Sequence, residues 1–245
     1  MKNFRMQIQY DGGRYKGWQR LGSGSDTIQG KIEGVLSQLA GENIEIIGSS
    51  RTDAGVHAFS QIANFVMYKE LPAEEIMTYV NKYLPQDISI IEVAEVPSDF
   101  HARYYVKQKT YLYKIWNKEY PNPFMRKYSM HVGRRLDIDK MRKSSGYFIG
   151  SHDFTAFSNA KSKKKSMVRE IYSINMEEKE GMLEIRFCGN GFLYNMVRKL
   201  VGTLIAVGLG EIDGESIPDI IASKDRSNVP YIADACGLYL ESVEF

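Results

Sequence analysis

Cysteine is almost missing from this 245-residue chain: Cys188 and Cys236 stand alone, and neither belongs to a Cys-x-x-Cys pair. A disulfide-stapled scaffold is excluded, and a reduced, cytoplasmic setting is expected. Histidine is nearly as scarce. His57, His101, His131 and His152 are scattered without metal-ligand spacing, so no metal site is expected. Long apolar runs are missing too. The most apolar stretch, residues 200–209, is far too short to cross a bilayer, and residues 1–10 do not read as a signal peptide. Nucleotide loops also fail. The Gly-Ser run at 22–25 is not followed by Gly-Lys-Ser/Thr, and Gly189-x-Gly191 lacks the third glycine of a dinucleotide fingerprint. No cofactor is expected.

What remains is an ordinary globular composition, 43% hydrophobic and 25% charged, in a chain long enough for one large domain or two small ones. The net charge is only +2, but it is unevenly spread. Residues 101–135 hold nine Lys/Arg against one acid, whereas residues 36–100 hold three against ten. Residues 211–245 hold two against eight. Such segregation predicts a basic surface and a separate acidic one.

Periodicity orders the first half. Phe4, Met6, Ile8 and Tyr10 alternate with polar residues, as in a half-buried strand. Asp26 reads as the N-cap of a helix whose stripe is Ile28, Ile32, Val35, Leu36 and Leu39, and Gly41 stops it. Strands follow at 44–48 and 58–67, then a helix between Pro72 and Pro85 and a strand at 88–96. The order is β-α-β-β-α-β, a ferredoxin-like half. In the second half a long strand, 104–117, carries Tyr111, Tyr113 and Ile115 on one face. A helix at 138–149, a strand at 182–188, an apolar helix from Leu193 to Ile205, a helix at 216–223 and a strand at 237–243 complete it.

The chemistry points to residues 48–65, where Arg51-Thr52-Asp53-Ala54-Gly55 interrupts two apolar runs. A polar insert between buried strands is where a rigid scaffold presents reactive groups. Arg51, two residues from Asp53, could keep that carboxylate ionised. The alternative is a turn in which Asp53 caps its own backbone and Gly55 supplies a positive φ. Trp18 and Arg20, on a Gly-flanked loop, could meet RNA, though Trp18 could equally pack on the core edge. Lys161, Lys163, Lys164 and Lys165 form a basic loop suited to phosphates. Arg198, in an otherwise apolar helix, calls for a carboxylate partner.

The wording of these segments closely resembles the tRNA pseudouridine synthase A family. The stretches are Tyr-Asp-Gly (10–12) with Gly-Trp-Gln (17–19), Arg-Thr-Asp-Ala-Gly-Val-His-Ala (51–58), Phe-His-Ala-Arg (100–103), Lys-Thr-Tyr-Leu-Tyr (109–113), His-Asp-Phe-Thr-Ala-Phe (152–157) and Gly-Asn-Gly-Phe-Leu-Tyr-Asn-Met-Val-Arg-Lys-Leu-Val-Gly (189–202). The resemblance implies an α+β fold of two ferredoxin-like halves, 1–103 and 104–245, joined into one mainly antiparallel mixed sheet with helices on one side and a cleft on the other. It implies formation of pseudouridine from uridine at positions 38–40 of the tRNA anticodon stem-loop, by a homodimer. Asp53 would be catalytic, Tyr111 would lie against the target base, Arg51 would serve the substrate, and Arg198 would partner Asp53. Two departures, Ser50 before Arg51 and the run Pro230-Tyr231-Ile232-Ala233-Asp234-Ala235-Cys236, leave open another RNA target such as ribosomal RNA. A catalytically silent RNA-binding protein is the remaining alternative.

Overall fold

The computed structural model describes residues 1–22, 26–159 and 166–245. The chain forms two compact units: Met1–Lys107 with Tyr239–Phe245, and Gln108–Leu238. Each is an α+β unit with its own core.

The first unit follows the expected order: β1 (Lys2–Tyr10), α1 (Ile28–Ala40), β2 (Ile46–Gly48), β3 (His57–Met67), α2 (Ala73–Tyr83) and β4 (Ile88–Val96). Strand β1 lies between β3 and β4, antiparallel to both, and β2 pairs antiparallel with β3. The alternating residues Phe4, Met6, Ile8 and Tyr10 are all buried, and Phe4 faces Phe65 across the ladder with ring centroids 5.5 Å apart. Ile28, Ile32, Leu36 and Leu39 bury the apolar stripe of α1. Its cap is Thr27 rather than the expected Asp26. The Thr27 hydroxyl accepts from Gly30 N at 3.2 Å, while the Asp26 carboxylate is drawn to Lys16 Nζ at 3.2 Å. Gly41 ends the helix at φ 75°.

Two buried asparagines fasten the Phe100-His101-Ala102-Arg103 stretch. Asn64 Oδ1 accepts from Ala102 N at 2.9 Å, and Asn3 Nδ2 donates to Pro97 O and Phe100 O at 3.0 and 2.9 Å. A strand predicted from residue 104 therefore starts later. Tyr104 N and Tyr105 N are both turned back onto His101 O at 3.2 Å.

The second unit contains β5 (Gln108–Trp116), β6 (Met130–His131), α3 (Ile138–Ser145), β7 (Gly150–Asp153), β8 (Val168–Lys179), β9 (Met182–Gly189), α4 (Met196–Gly208) and α5 (Ile217–Ser223). Strand β9 pairs antiparallel with β5 and β8, β8 pairs with β7, and the short β6 runs parallel to β5. The Phe residues of the 152–157 stretch serve the core. Phe154 and Phe157 are buried, and Phe157 meets Phe148 edge-on at 5.3 Å. After α5 the chain reaches β10 (Leu238–Glu244), whose Tyr239 and Leu240 pair in parallel with His57 and Ala58 of β3. The sequence reading placed these residues with the second half. Their ladder partners put them with the first unit.

Helix α4 is the core of the second unit. Arg198 alone among its residues is not fully buried. Lys199 is buried, with its ammonium donating to Ala156 O at 3.0 Å and no carboxylate beside it among the described residues. Burial lowers its pKa, and Arg226 adds to the effect. A lysine whose folded pKa is lowered costs stability at neutral pH, where the folded state must hold a desolvated charge; stability then rises as pH climbs through the folded pKa toward the ordinary 10.5. Lys199→Met is expected to raise Tm at pH 7 by about 2–4 °C, the shift that about 1 kcal/mol gives in a chain of this size. The gain should shrink toward pH 10.5, which thermal melts across pH will read.

Candidate active site

The Asp53 loop is built from its two ends inward. At its start, Gln61 of β3, wholly buried, reaches across to residues 49 and 50. Its Oε1 accepts from Ser49 Oγ at 2.7 Å and Ser50 N at 3.2 Å, and its Nε2 donates to Ser50 O at 2.7 Å. At its end, Val56 N donates to Asp53 O at 3.2 Å across a tight turn, with Gly55 at φ 80°. That turn supports part of the capping alternative: glycine is needed there because an L side chain disfavours the left-handed region.

Between these ends the loop is pressed against the segment that follows β1. Thr52 is buried, its hydroxyl lies 2.7 Å from Tyr10 OH, and its carbonyl accepts from Trp18 N at 3.0 Å. Gly17, at φ 94°, sits so close that a Cβ there would lie 2.7 Å from Thr52 O and 3.1 Å from the Asp53 carbonyl carbon. A Cβ on Gly12 would lie 1.9 Å from Val56 O. Trp18 is a core residue, not an RNA contact. It is 1% exposed and its indole fills the space beside Gly48. Tyr10, Gly12, Gly17 and Gln61 thus act on the loop without bearing chemistry. The signal for Tyr10, Gly12 and Gly17 in the sequence was the Tyr-Asp-Gly and Gly-Trp-Gln wording, read there only as a resemblance; Gln61 carried none.

Asp53 emerges half-buried at the tip. The expected pairing with Arg51 is absent: among the described residues the Arg51 guanidinium has neither an ion-pair nor a hydrogen-bond partner. With Thr52 anchored inward, the residue before it is turned to solvent, and Arg51 is exposed. Close by, His57 Nδ1 lies 3.0 Å from Asp11 Oδ1 and 3.2 Å from Gly12 N. The His57 ring stacks on Tyr239 at 4.8 Å, so β10 supports the strand that leaves the loop.

Arg20, expected at an RNA surface, is answered on its own unit. Its guanidinium lies 3.0 Å from the buried Glu33 carboxylate and 3.1 Å from Glu45. Glu33 in turn accepts from Ile46 N at 3.0 Å, so Arg20 neutralises a carboxylate that holds α1 to β2.

The second unit carries Tyr111 and Arg198. Tyr111, 6% exposed, meets Phe192 edge-on at 5.2 Å. Tyr113, fully buried, donates to Asp234 O at 2.7 Å, and burial raises its phenol well above the ordinary range. Arg198 Nε donates to Ala233 O at 2.7 Å and Nη1 to Asn195 Oδ1 at 3.3 Å, while Ala233 N donates back to Arg198 O at 3.1 Å. The guanidinium is thereby fixed by the backbone of the 230–236 run. Lys161, Lys163, Lys164 and Lys165 lie outside the described residues. Among the described residues no group of three or more His, Cys, Asp or Glu could hold a metal ion. No helix among them is long and apolar enough to cross a membrane.

A sequence family described as tRNA pseudouridine synthase matches residues 6–105 and 145–245, which takes in the Asp53 loop and α4. The chain belongs to that family. It is 60% identical, over all 245 residues and the full length of each relative, to tRNA pseudouridine synthase A 2 of Bacillus cereus (strain ZK / E33L) and to tRNA pseudouridine synthase A of Bacillus sp. (strain KSM-64). It is 42% identical, again over the full length of both, to tRNA pseudouridine synthase A of Acetivibrio thermocellus. Within the tRNA pseudouridine synthase family match lie Arg51, Asp53 and Arg198, whereas Tyr111 falls in the unmatched stretch between its two parts.

Proposed function

We propose that this protein converts uridine to pseudouridine in tRNA, at positions 38–40 of the anticodon stem-loop, with Asp53 as its catalytic residue. The N1–C1′ bond breaks, the uracil turns, and C5 is joined to C1′. C5 gives up its proton as it bonds to C1′ and the freed N1 takes one up, so the product is an isomer of the substrate and the chemistry calls for no co-substrate. Asp53 acts as a nucleophile on the sugar or base, or as the base that opens a glycal route. The target base leaves its stack at a cost of a few kcal/mol, and an aromatic contact from Tyr111 returns about 1–3 of them. Arg51, exposed and without a partner among the described residues, is available to a phosphate or to the space the base vacates. Arg198, its guanidinium oriented by Ala233 O and Asn195, serves substrate binding. The protein works in the cytoplasm as a homodimer.

The observation that carries this reading is a half-buried carboxylate at the tip of a loop clamped by Gln61 on one side and by Tyr10, Gly17 and Trp18 on the other. Holding a group to within a fraction of an ångström is what a catalytic constellation needs. Mapping pseudouridines in total RNA, with and without the gene, tests it. Loss of the signals at tRNA positions 38–40 is expected. Loss confined to ribosomal RNA would move the substrate, and an unchanged map would leave a silent RNA-binding protein.

A further inference from the structure

The connection from β5 to β6 in the second unit carries two rings held out in water: Phe124 is 86% exposed and Tyr120 is 73% exposed. A single exposed apolar residue needs no explanation, but two large rings on one short connection do. The connection is not loosely held. Trp116 Nε1 donates to Tyr120 O at 2.9 Å, Phe124 N donates to Asn122 Oδ1 at 3.0 Å, and Ser129 N donates to Met125 O at 2.9 Å. Below them Asn117 Nδ2 donates to Val132 O and Arg134 O, both at 2.8 Å. The rings are thus displayed from a braced frame.

Charge narrows what they face. Residues 117–135 hold five Lys/Arg against one acid, Glu119. Arg134 is answered by Glu211 at 2.7 Å. Among the described residues no carboxylate lies within ion-pair distance of Lys118, Arg126 or Arg135. A contact of this face with its own copy about a two-fold axis would set these cations against one another. A polyanion with exposed flat bases suits both features: the cations track its phosphates and the rings stack on its bases.

We infer that Tyr120 and Phe124, flanked by Lys118 and Arg126, form a second RNA contact that stacks on unpaired bases of the substrate away from the target uridine. The inference rests on the tRNA reading above. It is tested with Tyr120→Ala/Phe124→Ala, the ring-preserving Tyr120→Phe/Phe124→Tyr, and Lys118→Ala/Arg126→Ala. Each is assayed for kcat and KM on tRNA, for filter binding to bulk tRNA across salt, and by sedimentation.

The double alanine variant should raise KM about 100-fold with kcat held at saturating tRNA, since each of the two lost stacks is worth about a factor of ten. The ring-preserving variant should restore it. Salt dependence should be unchanged in the double alanine variant and shallower by about 1.5 in log–log slope when the two cations are removed. An unchanged KM and unchanged binding overturn the inference. A KM rise accompanied by dissociation of the wild-type oligomer also overturns it, because the rings would then face a second copy. Wild-type protein that binds tRNA but never isomerises it would overturn the proposed activity, while the binding arms would still decide this contact.

Discussion

Asp53→Asn is expected to abolish pseudouridine formation, lowering turnover by about three orders of magnitude or more, while tRNA affinity stays within a few-fold. The substitution is nearly isosteric but replaces a carboxylate with a neutral amide that can neither attack carbon nor take a proton. The braces of the loop run through Thr52, the Asp53 carbonyl and Gln61, none of which the change removes. Grip on RNA is expected from lysines, arginines and rings elsewhere in the chain. Single-turnover assays on tRNA, paired with filter binding, separate the two quantities. Substantial residual turnover would take Asp53 out of the chemistry and leave it as a turn residue.

Gly17→Ala should be nearly as damaging, by a different route. The added Cβ would meet backbone, Thr52 O at 2.7 Å and Ala54 N at 3.2 Å, and backbone cannot swing aside as a side chain does. The Asp53 loop must shift, and a misplacement of about 1 Å is enough to cost about 100-fold in rate. The same change also places alanine at φ 94°, a strain of about 1–3 kcal/mol that would lower Tm anywhere in the chain. Gly41→Ala provides the comparison. It too puts alanine at positive φ, 75°, but its Cβ would meet nothing within 4 Å. Both variants should lose Tm, Gly17→Ala the more because its Cβ also meets backbone, and only Gly17→Ala should lose kcat. Equal losses of kcat would mean that stability, not placement of the loop, is what Gly17 provides.

These two experiments bear on the part of the molecule that sequence described unevenly. Strands such as β1 and helices such as α1 were legible because periods of two and 3.6 are local properties, visible in Phe4, Met6 and Ile8 or in Ile28, Ile32 and Leu36. Caps were legible to within a residue: Thr27, not Asp26, closes α1, because Lys16 competes for the Asp26 carboxylate. Asp53 stood out through the wording around it. What holds Asp53 did not, because the contacts of Thr52 with Tyr10, Gly17 and Trp18 join segments far apart in the chain. The Arg51–Asp53 pairing failed for the same reason. Spacing along the chain suggested it, and the inward anchoring of Thr52 decided otherwise. Arg20 looked like a free cation until folding brought Glu33 and Glu45 to it.

The parallel pairing of β10 with β3 carries a consequence for biosynthesis. Residues 108–238 form one continuous stretch that can close its core as soon as it clears the ribosome. The first unit, though translated earlier, is completed later. His57 and Ala58, which leave the Asp53 loop, gain Tyr239 and Leu240 as neighbours only after the whole intervening unit has been made. A nascent chain halted within residues 108–238 would carry the entire Arg-Thr-Asp motif and still lack the ring that stacks on His57. The clamps on the Asp53 loop itself are made early in translation, whereas the strand that leaves the loop gains its last ladder partner only when β10 has been made.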